Sequence, residues 1–296
     1  MVRIVVVGSL NYDTTTFVSH LPQPGETVLG SRTTSDTGGK GANQAVAAAR
    51  MGADVAMVGR IGDDDAGRAL LEVLERENVD SSSIVVDASA PTGSAFIMVD
   101  EIGENMIVVN SGANATLAST DLPLAEIGSA DVVMAQLESP VDVVTRAAEL
   151  CRGTFMLNPA PAQPLPAALL DLVDILVPNR SELGVLADIP TPTTPDALAR
   201  AIGLVGVART VVTLGGDGAF VAVDGHYTHI PAPAVGAVDP TAAGDAFCGA
   251  LAAAVGKGMG IVEAARLAVV AGAVTVTRVG AQSALPTLAD VEAFDG

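Results

Sequence analysis

The amino-acid sequence predicts an α/β protein with a doubly wound, mostly parallel central sheet, helices on both faces and a small β-sheet lid. Short apolar runs rich in valine and isoleucine recur along the chain, as at residues 4–7, 55–60 and 210–214. Such runs are typical of strands covered on both faces, and helix-compatible segments alternate with them. Polar or glycine residues follow the strands, as expected at the ligand-binding rim of an open α/β sheet.

Composition excludes several classes of protein. The chain has 296 residues, 49% hydrophobic and 17% charged, so it can bury the core of one large α/β domain. A formal net charge of −19 argues against non-specific nucleic-acid binding, which needs a basic surface. The two cysteines, Cys151 and Cys248, form no disulfide framework and indicate a reducing compartment. Without a signal-peptide pattern or an apolar run of about 18 residues, the sequence predicts a cytoplasmic protein that has no membrane segment.

The first predicted strand, residues 4–7, leads to Asn11 and Asp13 at the carboxyl end of the sheet. Ligand binding and ordinary turn chemistry would both place such residues there. The G-x-G-x-x-G pattern of a dinucleotide-binding dehydrogenase does not follow this strand. That class of enzyme is therefore excluded.

Two excursions interrupt the alternation of strands and helices. Polar-faced strands are predicted at residues 14–19 and 26–32 around a turn cluster, and a hairpin is predicted at residues 94–99 and 105–109. Because neither pair has a helix between its strands, the two pairs are expected to form a small sheet of about four strands. The predicted lid comprises about residues 13–34 and 93–110.

A glycine-rich run at residues 38–41 precedes a helix predicted at residues 42–51. Lys40 is followed by glycine rather than serine or threonine, so the run is not a Walker-type phosphate loop. The free N–H groups at such a helix start can still bind oxygen ligands. Asn43 can both donate and accept hydrogen bonds, which suits a sugar hydroxyl. The next helix is predicted at residues 66–77.

The alternation resumes in the second half of the chain. Ser139 is predicted to cap a helix that begins at Pro140 and runs to about Cys151. A last helix is predicted at residues 261–278 and breaks at Gly280. The strands of this half are predicted at residues 131–136, 155–158, 175–177 and 210–214, followed by an antiparallel hairpin at 220–223 and 226–230.

The stretch at residues 238–251 combines small residues with one carboxylate at the head of a predicted helix. Gly244 leaves the backbone open to close approach, and the N–H groups of a helix N-terminus suit a phosphate or a developing oxyanion. Asp245 could take a proton from an attacking hydroxyl there, or it could only cap the helix. Lys40, one of only two lysines, likewise has either a binding role or the role of a solvated cation.

Six segments, in order, carry a resemblance to one family. They are GSLNYD at residues 8–13, GGKGANQA at 38–45, QLESP at 136–140, LNPAPA at 157–162, DPTAAGDAF at 239–247 and TRVGAQ at 277–282. The chain resembles the ribokinase group of sugar kinases, also called the PfkB family, over essentially its whole length, so one domain is expected over residues 1–296. The resemblance implies transfer of the ATP γ-phosphoryl group to the primary hydroxyl of a pentose, giving D-ribose 5-phosphate from D-ribose.

The resemblance also implies roles for individual residues. Asp245 matches the catalytic base, and Ala242, Ala243 and Gly244 match an anion hole. Positions that bind the sugar match Asn11, Asp13, Gly39, Lys40, Asn43, Glu138 and Asp245. Positions on the nucleotide side match Asn179, Glu182, Thr213, Gly215, Gly218 and Gly244, of which Asn179 and Glu182 are associated with Mg²⁺ and phosphate.

The family often binds K⁺ beside the anion hole. The matching positions are Asp239, Thr241, Thr275, Arg278, Gly280 and Ala284. Pro240 replaces a more usual threonine or serine, and Ala284 replaces a common serine, but both leave backbone carbonyls intact. The resemblance therefore implies K⁺ as an activator besides Mg²⁺. Val269 lies where a polar residue commonly faces adenine, so the base pocket is expected to be more apolar.

The expected partners are ATP, a small sugar and a second copy of the chain. Phe96, Met98 and Met106, or their alternating neighbours, would give the lid an apolar outer face, so we predict a homodimer through the lids. Two alternatives remain: another PfkB kinase acting on a different sugar or a nucleoside, and a non-catalytic sugar-binding or regulatory protein with this fold. The aromatic content of 3% favours a sugar over a nucleoside.

Overall fold

A computed structural model describes residues 1–294 as two β-sheets with flanking helices. The strands are β1 Arg3–Val7, β2 Asn11–Phe17, β3 Arg32–Gly38, β4 Asp54–Gly62, β5 Val79–Asp87, β6 Gly93–Val99, β7 Asn105–Asn110, β8 Val132–Ala135, β9 Thr154–Leu157, β10 Ile175–Leu176, β11 Arg209–Thr213, β12 Ala219–Val223 and β13 His226–Ile230. The helices are α1 Lys40–Arg50, α2 Asp65–Arg76, α3 Leu124–Ser129, α4 Val141–Leu150, α5 Ala167–Leu170, α6 Arg180–Leu186, α7 Pro195–Val205, α8 Ala243–Gly256, α9 Ile261–Thr275 and α10 Leu288–Glu292.

The larger sheet has the strand order β13-β12-β11-β10-β9-β8-β1-β4-β5. Its strands are parallel from β11 to β5, and β12 and β13 run antiparallel at one edge. The predicted doubly wound sheet is confirmed. The direction of winding reverses at β1, because the chain adds β4 and β5 on one side and then β8 on the other. The crevice at such a reversal is where open α/β sheets bind ligands.

Alternate residues of β1 face opposite sides of this sheet. Ile4 and Val6 belong to the core that α1, α8 and α9 cover, whereas Val5 and Val7 belong to the core that α4 covers. All four side chains are fully buried. Burial on both faces explains why this strand is a continuous apolar run rather than an alternating one.

Helices α1 and α8 pack closely against each other through small residues. A Cβ atom added at Gly249 would come within 2.5 Å of the Ala47 Cβ atom, so only glycine permits this approach. The residues of α8 from Ala246 to Ala254 are all buried. This close contact brings the first turns of the two helices together above the central strands.

The smaller sheet has the order β3-β2-β6-β7. Strands β2 and β6 are parallel, and both outer pairs are antiparallel. The predicted four-stranded sheet, with a hairpin as its second half, is confirmed. Strand β2 follows β1 after only three residues, which ties the lid directly to the carboxyl edge of the main sheet.

Three sequence predictions about secondary structure are wrong or incomplete. The strand predicted at residues 26–32 does not form; β3 lies later, at Arg32–Gly38, where polar side chains give no apolar pattern. No strand is predicted at β5, although residues 84–86 form a β-branched run; β5 is an edge strand whose side chains are mostly exposed or half-buried. Ser139 does not cap α4, because Pro140 holds the N-cap position and the buried Ser139 hydroxyl has no partner among the described residues.

Candidate active site

The carboxylate of Asp245 is the centre of the candidate site. Helix α8 begins at Ala243 after Ala242, which adopts a left-handed conformation with φ of 59° and is the N-cap. The Asp245 carboxylate therefore does not cap the helix, and that alternative is wrong. It accepts a 2.9 Å hydrogen bond from Asn43 Nδ2 and a 3.0 Å hydrogen bond from Gln44 Nε2, both on the first turn of α1. Burial raises the pKa of Asp245, although Lys40 and the two amides oppose this effect.

Glu138 joins the carboxyl end of β8 to the start of α1. Its Oε2 atom accepts hydrogen bonds from the Ser9 hydroxyl and from the Lys40 backbone N–H, the latter at 3.1 Å. The Lys40 Nζ atom lies 4.0 Å from Glu138 Oε1, and the Lys40 side chain is 34% exposed. Burial alone would lower the pKa of Lys40, but the carboxylates of Asp245, Glu138 and Glu182 raise it. Lys40 is therefore a positively charged neighbour of Asp245 rather than a freely solvated cation.

Asn11 and Asp13 lie on the first residues of β2 rather than in a turn. The Asn11 Oδ1 atom accepts a 2.8 Å hydrogen bond from Asn114 Nδ2, which fixes the direction of the Asn11 amide. Burial, followed by repulsion from Glu138, raises the pKa of Asp13 to about 6. The Asp13 Oδ1 atom is buried and has no hydrogen-bond partner among the described residues. A buried carboxylate oxygen without a donor is suited to a ligand hydroxyl.

Gly39 occupies the N-cap of α1 with φ of 87°, a conformation that favours glycine. A Cβ atom there would lie 2.7 Å from the Asn11 backbone nitrogen, so glycine also allows β2 and α1 to meet. A cavity of 530 Å³ opens beside this junction, and Asn11, Lys40 and Glu138 line it. Three of the predicted sugar-binding residues thus line one cavity, whereas Asp13, Gly39, Asn43 and Asp245 do not line it.

A second cavity, of 520 Å³, lies on the other side of the α8 N-terminus. The predicted residues that line it are Thr213, Gly215, Gly218, Ala243 and Gly244. Gly218 has φ of 90°, and a Cβ atom there would come within 2.0 Å of the Ile230 carbonyl oxygen. Phe247, Val269 and Val276 supply much of the remaining wall, which is largely apolar.

Asn179 and Glu182 form a capping box at the start of α6. Asn179 Oδ1 accepts from the Glu182 backbone N–H at 2.8 Å, and Glu182 Oε2 accepts from the Asn179 backbone N–H at 2.7 Å. Asn179 also forms a parallel bridge with Thr213, which brings the box beside the nucleotide-side loop. Burial raises the pKa of Glu182, and Asp245 adds to this effect while Lys40 opposes it. Both residues therefore have a structural role in this position.

The six predicted K⁺ positions are only partly assembled by side chains. Asp239 accepts hydrogen bonds from the Thr241 and Gly280 backbone N–H groups, both at 2.9 Å. Although burial opposes it, these bonds lower the pKa of Asp239, which favours the carboxylate. The Thr275 hydroxyl donates to Ala271, the Arg278 guanidinium pairs with Asp290, and Ala284 is buried. Backbone carbonyls at these positions are the further candidate ligands for a cation.

Several features limit the chemistry of the site. Among residues 1–294 no cluster of three or more His, Cys, Asp or Glu side chains is arranged to hold a metal ion. A divalent cation would therefore need oxygen ligands from a bound phosphate.

Cys248 is buried, and burial raises the pKa of its thiol well above the usual value, so it packs rather than reacts. No helix in the described chain is long and apolar enough to cross a bilayer.

Sequence reasoning missed three amides around Asp245, namely the buried Gln44 and Gln136 and the half-buried Asn158. Gln44 contacts Asp245 directly, Gln136 Nε2 donates to Gln44 Oε1 at 2.6 Å, and Asn158 Oδ1 accepts from Gln44 Nε2 at 3.1 Å. All three lie inside the motif segments at residues 38–45, 136–140 and 157–162. Polar side chains that follow apolar strands were the available signal.

Comparison with known proteins places the chain among sugar kinases. A sequence model described as pfkB family carbohydrate kinase matches residues 1–288. A ribokinase of Staphylococcus aureus is 38% identical over 98% of both chains, and a deoxyribokinase of Salmonella typhi is 33% identical over 96% of both. Among solved structures, a Thermotoga maritima ribokinase has a TM-score of 0.91 at 34% identity, covering 99% of each chain. An Arabidopsis thaliana ribokinase complexed with ribose and ATP has a TM-score of 0.92 at 31% identity, covering 99% of this chain and 98% of its own.

Proposed function

This chain belongs to the pfkB family of carbohydrate kinases, and from that premise we propose that it transfers the γ-phosphoryl group of ATP to the primary 5-hydroxyl of D-ribose. The products are D-ribose 5-phosphate and ADP. The observation that carries the proposal is the buried Asp245 carboxylate at the head of α8. Its neighbour Gly244 lines one cavity. Lys40, whose positive charge interacts with the Asp245 carboxylate, lines the other cavity. This arrangement supports a base that acts between a donor site and an acceptor site.

Asp245 acts as the general base of the transfer. A sugar hydroxyl is almost entirely protonated at neutral pH, so a base within hydrogen-bond reach contributes about 10²–10⁴-fold to the rate. The 5-hydroxyl proton moves to the Asp245 carboxylate while the sugar oxygen forms a bond to the γ-phosphorus. The bond between the γ-phosphorus and the β,γ-bridging oxygen breaks, and its electron pair leaves with ADP.

The start of α8 stabilises the charge of the transferring group. Ala242, Ala243 and Gly244 form the proposed anion hole, because the first N–H groups of a helix have no acceptor within the helix. Of these three groups, the Ala243 N–H donates to the Pro240 carbonyl oxygen at 3.3 Å. These dipoles and the Lys40 ammonium group lie in place before the reaction, so little reorganisation is needed as charge develops. Phosphoryl transfer depends mainly on such positioning and electrostatic stabilisation.

The sugar binds in the 530 Å³ cavity. Carboxylates there accept hydrogen bonds from its hydroxyl groups, and amides both donate and accept hydrogen bonds. Asp13 Oδ1 and Asn43 Oδ1 are buried without a described partner, which supports a role in accepting hydroxyl groups. Asn11, Gly39, Lys40 and Glu138 complete this proposed set. The lid sheet covers the cavity and excludes water that could otherwise receive the phosphoryl group.

ATP binds in the 520 Å³ cavity, with its phosphates toward the glycine loop at Gly215 and Gly218. Mg²⁺ would reach the site with the ATP phosphates, and we propose that Asn179 and Glu182 would hold its water ligands. The ion supplies charge neutralisation on the phosphate oxygens. Only the Oε2 atom of the Glu182 carboxylate accepts the capping hydrogen bond, so the Oε1 atom can serve this role.

We also propose K⁺ as an activator, bound by Asp239 and by backbone carbonyls of Thr241, Thr275, Arg278, Gly280 and Ala284. The low pKa of Asp239 supports a permanent negative charge there. Comparing ADP release in KCl with that in NaCl at equal ionic strength tests this role. Several-fold activation by K⁺ is expected, and equal rates would exclude it.

We propose that the enzyme is located in the cytoplasm.

The lid is the proposed dimer interface. Strand β7 is exposed along its length, and Phe96, Met106 and Val108, which share one face of the β6–β7 hairpin, are 55%, 48% and 63% exposed. Light scattering at micromolar concentration should give a dimer, and Val108→Lys should give a monomer because it buries a charge at the interface. A wild-type monomer would contradict the proposal.

An ADP-release screen over pentoses, hexoses and nucleosides tests the proposed substrate. D-ribose should give the highest kcat/KM, and mass spectrometry should detect a pentose monophosphate. The second candidate is 2-deoxy-D-ribose, because a deoxyribokinase is among the relatives. A nucleoside or hexose as the best acceptor would contradict the proposed substrate. Sugar binding without ADP release would instead favour the non-catalytic alternative.

A further inference from the structure

The side chain of Gln44 is fully buried, and its amide groups are hydrogen-bonded within the site. Its Nε2 group donates to Asp245 Oδ1 at 3.0 Å and to Asn158 Oδ1 at 3.1 Å. Its Oε1 atom accepts from Gln136 Nε2 at 2.6 Å. Both hydrogens of the Gln44 amide are thus used, one of them on the proposed base.

A backbone carbonyl sets the direction of this chain of amides. Asn158 Nδ2 donates to the Val177 carbonyl oxygen at 2.8 Å, and a carbonyl can only accept. The Asn158 Oδ1 atom must therefore point toward Gln44, and the Gln44 Nε2 group must be the one that donates to it. A reversed Gln44 amide would place its oxygen against two acceptors, the Asn158 amide oxygen and the Asp245 carboxylate. The network fixes the orientation that is ambiguous for an isolated amide.

We propose that Gln44 is a positioning residue for phosphoryl transfer, which holds the Asp245 carboxylate ionised and in one orientation. The inference rests on the proposed function, since it takes Asp245 as the base. Asn158 and Gln136 act through Gln44, because they fix which end of its amide faces Asp245. None of these three amides lines either cavity, so their effect on the reaction passes through Asp245.

The charges around Asp245 make this hydrogen bond consequential. Burial raises the pKa of Asp245, whereas Lys40, Asn43 and Gln44 lower it. The other titratable groups that face it are Glu138, Glu182 and Cys248. Substituting Gln44 changes none of these groups, so any change in the protonation of Asp245 reports the lost donor.

Gln136 offers a second way to disturb the same contact. Its side chain is fully buried at the carboxyl end of β8, and a Cβ atom added at Gly8 would lie 2.1 Å from its Oε1 atom. Gln136→Glu replaces the group that donates to Gln44 Oε1 with an acceptor. Two facing acceptors repel, so this substitution disfavours the orientation in which Gln44 donates to Asp245.

The kinetic test compares Gln44→Leu and Gln136→Glu with the wild-type enzyme. We expect kcat to fall by about 10–100-fold with the KM for D-ribose within about threefold, and the acidic limb of the kcat profile to move up by about one pH unit. Thr210→Val is the control: it removes a buried polar group away from Asp245, a hydroxyl that donates to the Val207 carbonyl oxygen, and should leave kcat and the profile unchanged.

Infrared titration of the Asp245 carboxyl band measures the protonation of Asp245 in the absence of the reaction. The band is assigned from the difference between the spectra of the wild type and of Asp245→Asn. The titration midpoint should rise by about one unit in Gln44→Leu. If Gln44→Leu fails to fold, Gln136→Glu tests the same contact. An active wild-type enzyme whose pH profile and infrared midpoint are unchanged by these substitutions would overturn the inference alone. A wild-type protein that releases no ADP with any acceptor would instead refute the proposed function, and with it the role of Gln44 in the transfer.

Discussion

The Asn43 Nδ2 atom donates a 2.9 Å hydrogen bond to Asp245 Oδ2, although 202 positions separate the two residues in the sequence. The bond joins the first turns of α1 and α8, which pack closely because Gly249 lies against Ala47. The two glycine-rich motifs of the sequence are therefore two halves of one site. Asn43 keeps its Oδ1 atom buried and without a described partner, and so it can receive a sugar hydroxyl while it holds the base.

Asp13→Asn should stabilise the folded protein while it weakens sugar binding. The pKa of Asp13 is about 6 in the folded state against 3.8 for the free group, so the native state binds more protons between these values. Stability contributed by this proton is therefore present at low pH and is lost as pH rises toward 6. We expect Asp13→Asn to raise the free energy of unfolding by about 1–2 kcal/mol at pH 8, and the gain to vanish near pH 4.

Urea denaturation at both pH values measures this difference. Asp224→Asn, at an exposed turn residue between β12 and β13, is the matched control and should change stability little at either pH. The same Asp13→Asn enzyme should have a KM for D-ribose raised by about tenfold or more, because a carboxylate accepts hydroxyl groups more strongly than an amide. A stability gain that persists at pH 4 would show that the pKa of Asp13 is not its cause.

Lys40→Met should impair catalysis while Lys257→Met should not. These are the only two lysines in the sequence, which makes them a natural pair. Lys40 faces Asp245, Glu138 and Glu182, whereas Lys257 Nζ donates to the Met51 carbonyl oxygen at 2.8 Å, at the far end of α1. Loss of a charge-assisted contact should lower kcat/KM by about 10–100-fold. Equal activity of the two variants would contradict the placement of Lys40 beside the reacting groups.

The apolar wall of the proposed nucleotide cavity predicts weak discrimination between purine bases. Phe247, Val269 and Val276 offer no hydrogen-bonding side chains, and Thr213 lies at the glycine loop. A hydrophobic pocket separates similar ligands by far less than a site that pairs their polar groups. We expect kcat/KM for GTP to lie within about tenfold of the value for ATP. Val269→Asn should alter this ratio, and a preference of more than about a thousandfold for ATP in the wild-type enzyme would contradict the prediction.

The sequence predicted the fold and the participants of the site better than their contacts. Apolar runs such as residues 4–7 identify buried parallel strands because burial on both faces demands them. Strand β3 lacked that signal, since its side chains face solvent on the lid. The pairing of Asn43 with Asp245 and the amide chain through Gln44 depend on the packing of α1 against α8. No local pattern encodes that contact, so only the assembled structure could reveal it.

Substitution of Asp245 by Asn, assayed for D-ribose-dependent ADP release, tests the central claim most directly. Asparagine keeps the size of the residue and one of its two acceptor oxygens but cannot accept the hydroxyl proton. Circular dichroism and the melting temperature should show a folded protein. We expect kcat to fall by at least about 100-fold, with D-ribose still bound. A folded Asp245→Asn enzyme that retains more than about a tenth of the wild-type kcat would contradict Asp245 as the base.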